Sequence, residues 1–164
     1  MRTGLLVLLI ICAAKLAGQL PVRPSLPVAY LIGEHEQAHA SLTAAATPLL
    51  DVCNGNVEEA WRQWRYFLSA LESHAQSQDL DLRGVKLWLH VFWSADGRVQ
   101  HMAFYLKPNS KAISTDLLRR FFSDFASRFR QPLEFESSYQ LYTTVSFPVF
   151  VQASPAVGMK PTPN

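Results

Sequence analysis

"GVKLWLHVFWSADGRVQHMAFYLKP", residues 84–108, decides the fold. Val85, Leu87, Leu89, Val91 and Trp93 alternate with Lys86, Trp88, His90 and Phe92, the period-2 pattern of a strand. Large apolar groups fall on both faces, so this strand is expected at the centre of a sheet, packed on helices on one side and partly covered on the other. Asp96-Gly97 follows Ser94-Ala95 and supplies the turn of a hairpin. A second strand then returns, with Gln100, Met102, Phe104 and Leu106 alternating against Val99, His101, Ala103 and Tyr105, until Pro108 stops it.

Upstream, Asn56 is placed to cap a helix, with Glu59 three residues on as in a capping box. Val57, Ala60, Trp61, Trp64, Phe67, Leu68 and Leu71 follow in steps of three and four and share one face. Downstream, Ser114 or Thr115 opens a second helix with Leu117, Leu118, Phe121, Phe122, Phe125 and Phe129 as its apolar stripe, ending before Pro132. A last strand runs over about Tyr139–Phe150. The order is helix, strand, hairpin, strand, helix, strand, an α+β fold. A right-handed crossover makes the second and third strands parallel, and the Val85–Trp93 strand slots between them. The expected sheet therefore has three strands, with the last one at an edge open to strand addition.

The ends read differently. Residues 1–18 carry Arg2 and then an uncharged apolar run, Leu5 to Ala14, as in an export signal. Lys15 interrupts this run well short of the roughly 20 residues that span a bilayer. The expectation is a periplasmic or secreted protein, with an uncleaved inner-membrane anchor as the alternative. Residues 19–49 form a Pro/Ala-rich lead, residues 50–150 the folded domain, and residues 151–164 a flexible tail. Residues 19–82 hold 8 acidic and 3 basic side chains, and residues 83–164 hold 5 and 10. No basic-aromatic binding motif accompanies that asymmetry, so nucleic acid is not an expected partner. Beyond the signal only Cys53 remains, which excludes an internal disulfide framework and suits a buried thiol.

Over about residues 48–150 the chain resembles the C-terminal domain of TonB and TonB-like periplasmic proteins. The resemblance is carried by Asp96-Gly97-Arg98-Val99 between two strands, by a helix ending near Pro132, and by Phe147-Pro148 in the closing strand. Gly55, Glu59 and Ala60 match a helix common in such domains of the Bacteroidetes type. The resemblance implies a non-enzymatic domain that engages a protein segment, such as part of an outer-membrane transporter, by β-strand addition. The edge so implied is Tyr139, Leu141, Thr143, Val145 and Phe147. The long spacer and retained membrane helix of energy-coupling TonB have no counterpart here, so a soluble binding domain is the expectation, with no cofactor.

One motif stands apart. His35-Glu36-Gln37-Ala38-His39 satisfies the H-E-x-x-H pattern, in which two histidines on one helix face bind zinc and the glutamate acts as general base. Glu58 or Glu59 is in range as a third ligand. A small zinc hydrolase is therefore one alternative function, and a module that homodimerises through its own edge strand is another. No sheet precedes the motif to hold a substrate, and no metal site is expected.

Overall fold

In the computed structural model, residues 26–132 and 134–149 are described. The export signal expected at 1–18, the first part of the lead and the tail expected at 151–164 lie outside them. Among the described residues nine elements follow one another: β1 (Ala29–Leu31), α1 (Glu36–Ala45), β2 (Thr47–Pro48), α2 (Leu49–Val52), α3 (Val57–Ser77), β3 (Lys86–Trp93), β4 (Val99–Leu106), α4 (Thr115–Arg128) and β5 (Tyr139–Ser146). The class is α+β. The sheet has five strands rather than three, in the order β1-β4-β3-β5-β2.

β3 is central, as its two apolar faces require. It pairs antiparallel with β4 and β5 along its length, Leu89 facing Phe104 on one side and Thr143 on the other. Leu87, Leu89, Val91 and Trp93 are buried against α3 and α4. Phe67 of α3 stacks edge-on against Trp93 of the sheet and Phe125 of α4, and Phe122 meets Phe104. The hairpin turn is closed by Gly97 N–H donating to the Ser94 carbonyl at 2.9 Å. Gly97 alone takes the left-handed conformation there, at φ 82°, because a side chain at that position would be strained. Asp96 accepts from Ser94 Oγ and from Arg98 Nε, which holds the loop from both sides.

The helix caps form with one difference. Asn56 Oδ1 accepts from Glu59 N–H at 3.1 Å, and Ser114 Oγ accepts from Leu117 N–H at 3.3 Å. Glu59 does not reciprocate, because its carboxylate is taken by Arg62 and Gln63 on the following turn. The stripe on α3 also begins later than its spacing predicts. Val57 is 68 % and Trp61 53 % exposed, whereas Trp64, Phe67, Leu68 and Leu71 are buried. Ala60 is half-buried and Gln63 buried on the same turns, so the inward face of α3 there lies to one side of Val57 and Trp61.

The largest departure is at the N-terminal side. The segment expected as a loose lead to residue 49 contains β1, α1 and β2. β1 runs parallel to β4, with Ile32 N–H donating to the Phe104 carbonyl and Met102 N–H to the Val28 carbonyl. β2 runs parallel to the start of β5. The chain between them crosses the sheet on the face opposite α3 and α4. The connections β4–α4–β5 and β1–α1–β2 therefore travel the same way across opposite faces, and they have opposite hands.

Phe67 joins α3, α4 and β3 with no exposed surface. Phe67→Ala is expected to cost about 3–5 kcal/mol, measured as a fall in the urea midpoint at unchanged m-value.

Candidate binding edge and histidine cluster

Two features stand out: the outer side of β5 and the face of the sheet that α1 crosses. On β5, side chains and peptide groups must be considered separately. Tyr139, Val145 and Phe147 are buried, and Leu141 and Thr143 half-buried, so this row faces the helices. Phe147 lies just past the strand's end. Its N–H donates to the Val85 carbonyl at 2.9 Å and its carbonyl accepts from Gly84 N–H at 2.9 Å. Peptide groups alternate direction along a strand, so the odd-numbered residues of β5 spend their backbone bonds on β3. The five residues expected to meet a partner are thus turned inward in both respects. The outward N–H and C=O groups belong to the even-numbered residues. β2 covers the start of that row, Thr47 N–H donating to the Ser138 carbonyl at 3.0 Å with Pro48 opposite Gln140. No described strand pairs with Tyr142, Thr144 or Ser146 on the outer side.

Register fixes what shares the second face. Trp88 lies opposite Tyr105 and Thr144, His90 opposite Ala103 and Tyr142, and Phe92 opposite His101 and Gln140, with Tyr30 of β1 beside Ala103. α1 covers half of this surface. His39 projects from the helix and its ring stands edge-on to His90, Phe92 and Tyr30. A chain of hydrogen bonds runs through it: Tyr30 Oη to His39 Nδ1 at 2.9 Å, His39 Nε2 to His90 Nδ1 at 3.1 Å, and His90 Nε2 to Gln140 Oε1 at 2.8 Å. The Gln140 oxygen only accepts, so His90 donates from Nε2 and accepts at Nδ1. His39 then donates from Nε2, and the Tyr30 hydroxyl donates to its Nδ1. Every polar group is satisfied with both imidazoles neutral.

Burial reinforces that state. It lowers the pKa of both histidines, His90 to about 4, the bond to Gln140 opposing only in part. Burial also pushes the Tyr30 hydroxyl up to about 12. Beside the chain, Ile32, His39, Ala40, Thr43, Ala44, His90 and Tyr142 line a groove of about 560 Å³ between α1 and β5. Beyond it, Tyr105 and Tyr142 are exposed and Trp88 half-buried, with the Lys107 ammonium 5.4 Å from the Trp88 ring centre.

The H-E-x-x-H motif is accounted for by this packing. His35 occupies the N-cap position of α1 without a side-chain capping bond, edge-on to Tyr30. His39 has both ring nitrogens engaged, and Glu59 is committed on α3. Among the described residues no group of three or more His, Cys, Asp or Glu side chains is placed to hold a metal ion. The zinc alternative therefore finds no third ligand there. The i, i+4 spacing that the motif requires also serves a helix laying two rings on a sheet. Residue spacing gives no signal for Tyr30, Gln140 or Tyr142, and His90, which has no spaced partner on its own strand, is buried and hydrogen-bonded to partners from other elements.

No protein-family model, curated protein or solved structure matches the chain.

His90 has a folded pKa below its ordinary value of 6.5, so its contribution is complete above that value. The contribution is lost as the pH falls toward about 4, to the extent of up to about 3 kcal/mol. Urea midpoints at pH 7 and 4.5 should differ accordingly, and by less in His90→Asn. Glu34, Asp96 and Asp124 are held low by Arg119, Ser94 and Arg128 respectively. Most of their loss falls at more acid pH, outside this window.

Proposed function

We propose that the protein is an exported, non-enzymatic binding domain that takes up an extended protein segment by strand addition on the outer side of β5. The observation that carries this reading is the row Tyr142, Thr144 and Ser146. Its backbone groups point away from β3, and β2 stops at Gln140. Such a row is a template on which main-chain bonds give affinity and neighbouring pockets give selectivity. The groove beside Tyr142 is placed to take side chains of an added strand that project on the α1 side. The resemblance to TonB C-terminal domains supports the same mode, with a segment of an outer-membrane transporter as the kind of partner. The N-terminal apolar run supports export. The edge is moved relative to the sequence expectation, from the odd row to the even one.

That shift decides how the edge is tested. Proline at Val145 removes a ladder donor used by β3 and should unfold or severely destabilise the domain. Proline at Thr144 removes a donor that points outward. Thr144→Pro should keep a cooperative thermal transition within a few degrees of the wild type. It should also weaken, at least about tenfold, the binding of decapeptides selected on the wild-type protein from a displayed random library. Retained binding by folded Thr144→Pro would reject strand addition at this edge.

A further inference from the structure

α1 is held to the sheet in an unusual way. None of its residues from Glu36 to Ala45 is buried, although the helix lies across a surface containing fully buried Phe92 and Ala103. Its inward stripe, His35, His39, Leu42 and Thr43, is only half-buried. Apolar burial, the usual anchor of a helix, is therefore small. At the near end the attachment is Glu34, which pairs with Arg119 of α4 and accepts from Leu31 N–H. At the far end it is two residues of β2 and a contact between Thr47 Oγ1 and Ser137 Oγ at 3.2 Å. Between these points the hydrogen-bonded tie is His39, joined to Tyr30 and His90. One residue after α1, the chain becomes β2 and covers the beginning of the β5 edge.

We propose that α1 and β2 form a strap released by acid: protonation of the His39–His90 pair frees residues 36–48 and lengthens the open edge of β5 from Tyr142–Ser146 to Tyr139–Ser146. The second half of this statement rests on the strand-addition reading; the release of the strap does not.

The hydrogen-bond chain explains why the pair is the trigger. One added proton is accommodated. His90 then donates from Nδ1 to His39 Nε2, while His39 changes tautomer and donates from Nδ1 to the Tyr30 oxygen. A second proton sets N–H against N–H between rings whose centres lie 4.9 Å apart, with two positive charges and no acceptor between them. Neighbouring groups offer little compensation beyond the Gln140 acceptor. Tyr30 faces the pair from β1, His101 lies beyond Tyr30 on β4, and Tyr142 and neutral Gln140 face it from β5. His35 stands on α1 itself, and Lys86 lies further along the same face of β3. The carboxylates nearest in the chain are Glu34, which is paired with Arg119, and exposed Glu36 in the first turn of α1, and neither pairs with His39 or His90. Desolvation already disfavours charge on both rings. Release needs two protons, so it should be steeper in pH than a single titration.

Hydrogen–deuterium exchange of the purified protein at pH 7 and 4.5, corrected for intrinsic exchange, tests the strap directly. Peptides covering residues 36–48 should lose at least about tenfold in protection at acid pH, while those covering α4 keep theirs. Unchanged protection over 36–48 would overturn the proposal, as would equal loosening of α4, which would mark general acid unfolding. In His39→Gln and, separately, His90→Gln, protection of 36–48 should lose most of its pH dependence. A full acid response in both would remove the histidine pair from the mechanism. Binding of the selected decapeptides, measured alongside, separates the two readings. Strap release without tighter binding would leave the strap standing and count against strand addition at the lengthened edge.

Discussion

The double ladder of β3 is the constraint from which the other elements take their places. A strand bonded on both sides along its length has no polar edge left, and its side chains must be covered above and below. The odd row, Leu87 to Trp93, is covered by two long helices rich in Phe and Trp. The even row, Trp88, His90 and Phe92, is longer than α1 can cover. Phe92 and His90 are sealed, while Trp88 stays half-buried beside exposed Tyr105 and Tyr142. This asymmetry separates a rigid layer, where removing a ring leaves a cavity, from a thin layer whose attachment is polar. The thin layer is where both the candidate edge and the candidate switch are found.

Much of the rigid layer was legible from residue spacing. β3, β4 and the hairpin follow from strict alternation around Asp96-Gly97, and α3 and α4 from apolar steps of three and four after Asn56 and Ser114. β1 and β2 were not legible, because three and two residues are too few to display a period, and Pro27 lies just before β1 and Pro48 within β2. α1 was missed for a different reason. Its inward positions are His35, His39, Leu42 and Thr43, which keep the helical spacing but carry little hydrophobicity. A search for apolar periodicity does not register such a stripe. Those histidines attracted notice only through a motif that belongs to another chemistry.

The candidate edge illustrates a distinction that alternation alone cannot make. Tyr139, Leu141, Thr143, Val145 and Phe147 share a face, and side-chain pattern finds them easily. Which peptide groups are free depends on the hydrogen-bonding phase of the ladder. That phase is set by the pairing of Phe147 with Val85 at the strand's end. The expected row is the one whose side chains and peptide groups turn toward the helices and β3, and the alternate row of the same strand carries the outward peptide groups. His90 is a similar case. Seen on its own strand it lacks a partner, whereas in the fold it is the middle link of a chain drawn from β1, α1 and β5.

The crossing of residues 29–48 over the sheet has a consequence for solubility. Each end of this one segment lies along a different margin of the sheet, β1 beside β4 and β2 beside β5. Bare margins of this kind are where chains stack on one another into fibrils. A single stretch of twenty residues thus covers the β4 margin and the start of the β5 margin, and the two covers are mechanically joined through α1. Shortening the chain from its N-terminal side past Leu31 would uncover the β4 margin and loosen the cover on β5 as well. The result would be a molecule that has lost Ala29 and Tyr30 from its buried interior and whose two flanks invite self-association.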